Sequence, residues 1–193
     1  MIAGLLLAAG RSKRFGADKL CAKLNGKAVI RWSAAALLEA VDVVYVIIAP
    51  AADGPTQALS RLDVRFVINL GRTEGMASSI RAGVSAVEDD VEAVVIALAD
   101  QPLVSSDVVR ALIARWHVGD ASAVVPRYED GRGHPVLFGR ECFAALGALK
   151  GDVGARSVIE ALGGRVADVD VSGGMPADVD TPDALAELQV PRG

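Results

Sequence analysis

The stretch Leu5-Leu6-Leu7-Ala8-Ala9-Gly10-Arg11-Ser12-Lys13-Arg14-Phe15-Gly16-Ala17-Asp18-Lys19 decides the reading of this chain. An apolar run begins almost at the start and breaks at Gly10 into a loop carrying Arg11, Lys13, Arg14 and Lys19. That order predicts a buried strand feeding a cationic, glycine-bearing loop, the place where α/β proteins hold phosphates. Gly10 and Gly16 permit backbone angles closed to other residues and let main-chain N–H groups approach an anion. The loop is not a Walker A loop, because Gly16 is followed by Ala17 where that motif needs Lys-Ser/Thr, and it lacks the Gly-x-Gly-x-x-Gly dinucleotide fingerprint. A solvated basic surface loop is the plainer reading, and the position directly after the first strand argues against it.

The same stretch is not a secretory signal, since its positive charge follows the apolar run and the run is short. No segment approaches the roughly 18 apolar residues of a membrane span. These features predict a soluble, cytoplasmic protein with no membrane partner.

The 193 residues suffice for one domain with a full core, and no linker-like shift, repeat or low-complexity segment divides 1–193. Hydrophobic residues make up 52% and aromatics 4%, so the core is built from Ala, Val, Leu and Ile, as suits a sheet covered on both faces by helices. The net charge of −4 excludes bulk attraction to nucleic acid and leaves a polyanionic substrate dependent on a local basic site. Cys21 and Cys142 match no zinc spacing and read as reduced packing residues.

Apolar, β-branched runs alternate with alanine-rich stretches of helical length. Strands are expected over 2–8, 43–49, 64–68, 93–98, 121–126, 135–138 and 165–171. Helices are expected over 30–40, 54–61, 77–87, 106–116, 140–146, 155–162 and 182–188. Ser105 or Ser106 suits a cap for the fourth helix, and Thr181-Pro182 a helix start. The alternation predicts an α/β fold: a Rossmann-like, doubly wound, mostly parallel sheet with helices on both faces and right-handed crossovers. The polar segment 128–134 reads as a loop over a site.

Two acidic features stand out. The apolar strand 93–98 runs into Ala99-Asp100-Gln101-Pro102, and an Asp at the carboxyl end of a buried strand can hold a divalent metal beside phosphates. The competing reading, a helix cap, is weakened by Ser105 and Ser106 lying nearer the next helix. Asp178-Val179-Asp180-Thr181-Pro182-Asp183 reads by itself as a helix cap with an acidic first turn. Mg²⁺ takes one or two protein carboxylates, so Asp180 is a candidate partner for Asp100, though spacing alone does not bring them together.

With these residues in view, the chain resembles the MobA-like nucleotidyltransferase family, and within it the molybdenum cofactor cytidylyltransferase branch. Leu7-Ala8-Ala9-Gly10 through Lys19, Glu74-Gly75-Met76-Ala77-Ser78-Ser79-Ile80-Arg81-Ala82-Gly83, Asp100-Gln101-Pro102, Gly133-His134-Pro135-Val136-Leu137-Phe138, Gly151-Asp152-Val153-Gly154-Ala155-Arg156 and Asp178-Val179-Asp180-Thr181-Pro182 carry the likeness, in family order. The first motif is shared with many sugar-nucleotide pyrophosphorylases, and the combination with Gly-His-Pro and Gly-Asp-x-Gly-Ala-Arg is far more specific.

The resemblance implies a nucleotidyltransferase fold and a Mg²⁺-dependent transfer of CMP from CTP to the terminal phosphate of molybdopterin. It implies nucleotide contacts from Leu7, Ala8, Ala9, Gly10, Arg11, Arg14, Lys19, Gly75, Met76, Ser78 and Ser79. Arg14, Lys19 and Asp100 are the expected catalytic residues, and Asp100 and Asp180 the metal ligands. Gln101, His134, Pro135, Asp152 and Arg156 are the expected contacts to the pterin. Ser78 and Ser79 also read as plain helix caps, His134 as a loop-structuring residue, Arg156 as a solvated helix arginine and His117 as a charge at a helix end. Guanylyl transfer to the same pterin and sugar-phosphate nucleotidyl transfer are the nearest rivals. An oxidoreductase, or a maturation chaperone for a molybdenum hydroxylase, is the rival of another class. Transient contact with such a hydroxylase or its chaperone is an expected partnership.

Overall fold

The computed structural model describes residues 1–10, 15, 18–152 and 154–189. In chain order the described elements are β1 (Ile2–Leu7), β2 (Lys23–Leu24), β3 (Lys27–Ala28), α1 (Val29–Leu38), β4 (Val43–Ile48), α2 (Asp53–Leu59), β5 (Arg65–Ile68), α3 (Met76–Ala86), β6 (Ala93–Leu98), α4 (Ser106–Trp116), β7 (Ala123–Tyr128), β8 (Gly131–Arg132), β9 (Val136–Gly139), α5 (Phe143–Gly147), α6 (Arg156–Leu162), β10 (Val166–Asp170) and α7 (Pro182–Gln189). Every expected strand and helix appears, with ends shifted by a residue or two, except that the helix expected from 140 begins at Phe143 after a 3₁₀ turn over Arg140–Cys142. Segment 128–134, read as a loop, contains β8, which turns back onto β7 as a short antiparallel pair.

The main sheet runs β10-β7-β9-β6-β1-β4-β5, with β8 attached to β7. β1 pairs in parallel with β4 and β6, β5 with β4, and β10 with β7, while β9 runs antiparallel to both β6 and β7. The mostly parallel sheet is thus interrupted by one reversed strand. This follows from chain order: β9 is reached from β7 through the short β8 turn, whereas a parallel neighbour needs a long crossover.

Side-chain alternation explains how one strand serves two cores. Ile2 and Leu6 of β1 join Ile30, Ala34 and Leu37 of α1 and Val109 and Leu112 of α4 on one face. Ala3 and Leu5 join Ile80 of α3, Leu146 of α5 and Val158 of α6 on the other. Leu6 is fully buried, so Leu6→Ala is expected to cost about 2–5 kcal/mol. Gly4 stands where α1 presses closest: a Cβ there would lie 3.2 Å from Leu37 Cδ1.

Ser105 caps α4 by accepting from Val108 N, Thr181 Oγ1 accepts from Ala184 N at the start of α7, and His117 lies exposed at the α4 C-terminus. Cys21 and Cys142 are free thiols, each pushed up to about 11, chiefly by burial. Among the described residues, no helix is long and apolar enough to cross a membrane.

Candidate active site

The site sits where the chain reverses its winding order. From β1 the sheet grows outward through β4 and β5 on one side and through β6 on the other. Leu7 pairs with Leu98, so β1 and β6 end side by side, and Ala99 N donates to Leu7 O at 3.1 Å. The loop beginning at Gly10 and the Asp100 segment therefore emerge together, at the switch point where open α/β sheets bind ligands.

A cleft of about 420 Å³ opens there. Leu7, Ala9 and Gly10 form one wall, Leu98 and Asp100 another, and Arg72, Thr73, Gly75, Met76, Ser79 and Asp152 the third. Arg11 and Arg14 lie outside the described residues. Ala8 is buried with the α1-side core, directly behind the cleft wall.

Lys19 follows on a short 3₁₀ turn capped by Asp18, whose side chain accepts from Leu20 N. Its ammonium is held by two carboxylates, one of them at the cleft wall. It lies 2.6 Å from Asp100 Oδ2 and 2.7 Å from Asp180 Oδ1, and only 11% of the side chain is exposed. Burial works against the charged ammonium, but the hydrogen bonds to Asp100 and Asp180 outweigh it and raise its pKa. Asp100 and Asp180, 80 positions apart in sequence, are thus brought onto one cation. The reason is local: Val179 N donates to Asp100 O at 2.8 Å, and the fully buried Val179 packs with Leu24 and Val29 beside Leu185 and Leu188 of α7. Two hard carboxylate oxygens converging on one positive centre form a donor pair suited to Mg²⁺ or Mn²⁺, which complete their shells with water and phosphate oxygens. Among the described residues no cluster of three or more His, Cys, Asp or Glu groups offers a richer metal cage.

Gln101 is buried, and its Nε2 donates to Asp178 Oδ1 at 2.8 Å. Lost solvation, with Asp100 and Asp180 adding like charge, raises the Asp178 carboxyl above the usual range. Gln101 thus positions the acidic segment.

The third wall is organised by Asn69, a residue not singled out from the sequence. Its Nδ2 donates to Ser78 Oγ at 2.8 Å and Ser79 Oγ at 3.0 Å, and its Oδ1 accepts from Gly71 N at 2.9 Å. Ser78 Oγ also donates to Gly75 O. The N–H groups at the α3 start are not left for a ligand. Met76 N donates to Asp152 Oδ1 at 3.1 Å and Ala77 N to Gly151 O at 3.3 Å, so the 151–152 loop satisfies these otherwise orphaned donors. Asp152 lines the first cleft, apart from His134 and Arg156. Arg72 and Thr73 were also missed; the available signal was a cation in the turn leading to Gly75.

A second cleft, of about 530 Å³, brings together Arg132, His134, Arg156 and Glu160 over Val125 and Ile159. Arg156 is 87% exposed and pairs with Glu160 at 2.9 Å, leaving it free to turn toward an anion. His134 is held by Tyr128, whose hydroxyl donates to its carbonyl, and Pro135 is buried beneath. Burial lowers the His134 pKa, against a hydrogen bond to the Ile96 carbonyl and the charges of Asp178 and Asp100. The ring is therefore neutral at pH 7, with Nδ1 buried. Asp100, which lines the first cleft, thus also acts on the ring that lines the second.

The sheet order, with a switch-point cleft and paired carboxylates beside it, is that of the nucleotide-diphospho-sugar transferase fold. Residues 4–166 match the MobA-like NTP transferase domain, and the chain belongs to that family. It is 33% identical to the purine catabolism protein PucB of Bacillus subtilis, over 93% of this chain and 92% of that protein. It is 31% identical to a probable molybdenum cofactor guanylyltransferase of Thermococcus gammatolerans, over 69% of this chain and 66% of that protein. The crystal structure of Rv0371c from Mycobacterium tuberculosis superposes with a TM-score of 0.87 at 30% identity, covering 97% of both chains.

Proposed function

We propose that this nucleotidyltransferase, acting in the cytoplasm as one domain over 1–193, transfers CMP from CTP to the terminal phosphate of molybdopterin or its molybdenum-loaded form. An oxygen of the pterin phosphate attacks the α-phosphorus of CTP, the bond from that phosphorus to the bridging oxygen breaks, and pyrophosphate leaves. The observation that carries this reading is the pair of clefts, the first lined by Asp100 and the second by His134, on whose ring the charges of Asp100 and Asp178 act. The first takes the nucleotide; the second takes the acceptor against His134 and Arg156.

The phosphate nucleophile is already anionic, so no general base is needed, and the neutral His134 fits a contact role. Asp100 and Asp180 would hold a divalent cation, Mg²⁺ in this reading, which when bound offsets the negative charge of the phosphates. A Rv0371c structure described as a complex with manganese supports a divalent metal. The protein's own part is positioning and charge compensation: Gly10 and Gly75 admit the nucleotide, Lys19 and Arg14 meet the triphosphate, and Arg156 meets the acceptor's anion. Relatives named guanylyltransferase favour a second reading, GMP transfer from GTP to the same pterin. A molybdenum hydroxylase or its chaperone is the proposed recipient.

The test is pyrophosphate release from CTP with and without molybdopterin. Release that depends on the pterin, and falls by about two orders of magnitude in a folded Asp100→Asn variant, is expected from lost charge stabilisation. Normal turnover in Asp100→Asn removes the metal role from that residue.

A further inference from the structure

Lys19 is a cation of the acidic cluster, donating to Asp100 Oδ2 and Asp180 Oδ1 with a side chain only 11% exposed. These are the same two carboxylates that the proposed function gives to a divalent metal. An ammonium and a divalent cation repel each other strongly at such range. They therefore compete for the carboxylate pair. Lys19 has another destination nearby, because Asp100, which holds its ammonium, itself borders the 420 Å³ cleft. Its flexible four-carbon stem allows such a swing, and a triphosphate in the cleft would be a competing anion.

We propose that Lys19 and a divalent cation exchange on the Asp100–Asp180 pair. Lys19 closes the pair to metal in the nucleotide-free protein, and the triphosphate opens it by drawing the ammonium into the cleft. This orders the reaction: nucleotide enters first, metal second. It rests on the reading of Asp100 and Asp180 as metal ligands and adds the gate. By linkage, metal must then strengthen nucleotide binding by the same factor by which nucleotide strengthens metal binding.

The experiment is direct titration of the full-length, nucleotide-free protein with Mn²⁺, following bound metal by calorimetry and by loss of the free-ion paramagnetic resonance signal. Lys19→Met removes the competing charge at similar volume, and Lys19→Gln serves should Met prevent folding. Lys23→Met, at an exposed lysine of β2, controls for a general change in field. The proposal expects Mn²⁺ to bind the Lys19 variant at least about tenfold more tightly than wild type, a difference of roughly 1.4 kcal/mol. It expects Lys23→Met to match wild type, and Asp100→Asn added to the Lys19 variant to abolish the gain. Equal Mn²⁺ affinity in wild type and both Lys19 variants, with loss in Asp100→Asn, overturns the gate and leaves the metal ligands standing. Weaker binding in the Lys19 variants, or equal tightening in Lys23→Met, also overturns it. Mn²⁺ binding indifferent to Asp100→Asn overturns the gate and the ligand reading together.

Discussion

Gly75 and Asp152 touch through their backbones: a Cβ on Gly75 would lie 2.6 Å from Asp152 Cα and 2.8 Å from Asp152 N. Gly75 also has φ of +92°, which disfavours any side chain. This contact joins the turn before α3 to the loop before α6 and closes one wall of the nucleotide cleft. Gly75→Ala is expected to lose at least about 2 kcal/mol from backbone strain and displacement of the 151–152 loop. That is a fall of roughly 4–8 °C in melting midpoint for a chain of this size, accompanied by weaker nucleotide binding. A midpoint within a degree of wild type would contradict the contact.

Asp152 and Arg156 were grouped in sequence as acceptor contacts, and the structure separates their environments. Asp152 caps α3, so Asp152→Ala should cost about 1 kcal/mol, the usual value of a lost cap. Its kinetic effect should fall on the KM for nucleotide. Arg156 is exposed, so Arg156→Ala should leave the melting midpoint unchanged and raise the KM for the pterin. Melting curves with both KM values distinguish them; identical profiles for the two variants would refute the separation.

His134 gives the pH dependence. Its folded pKa is lowered from 6.5 by burial, so the unfolded chain takes up this proton more readily than the native one. The native state's advantage is complete above about pH 6.5 and declines as pH falls toward the lowered value, because stability rises with pH wherever the unfolded state binds more protons. Denaturant midpoints measured from pH 7.5 to 5 should fall more steeply for wild type than for His134→Gln. Parallel curves would show that this ring does not titrate with unfolding.

Much of the fold was legible because long β-branched runs and alanine-rich helices carry their own periodicity. Strand β6 and helix α4 were bounded to the residue. The two-residue strands β2, β3 and β8 were not read, since so short a segment has no period to display. The direction of β9 was also hidden: 135–138 reads as a strand, but the antiparallel seat of β9 between β6 and β7 is set by partners far along the chain. The site divides similarly. Asp100 was visible from its place at a strand end, and Asp180 only as a candidate, because the Val179–Asp100 hydrogen bond that seats it has no local sequence signal. Asn69 had a signal that passed unread. An Asn directly after a strand and two residues before a Gly is the pattern of an Asx turn, and that turn orders Ser78 and Ser79.

Base choice is the sharpest remaining question, and it turns on Ala9. This residue lines the first cleft and is 4% exposed, so its methyl group is packed into that wall. The guanylyl branch of the resembling family tends to carry glycine there, which would leave more room for a purine. Steric exclusion of this kind discriminates without improving the preferred ligand. We expect CTP to be favoured over GTP by at least about tenfold in kcat/KM, equivalent to roughly 1.4 kcal/mol in transition-state free energy. The wall formed by Gly75, Met76 and Ser79 is unaffected by a change at position 9, so Ala9→Gly should relax the preference only in part. Equal CTP and GTP in one reaction, with the pterin dinucleotide identified by mass, reads the preference directly. A guanylylated pterin as the main wild-type product would assign the chain to GMP transfer; an unchanged ratio in Ala9→Gly would move the discrimination to the opposite wall.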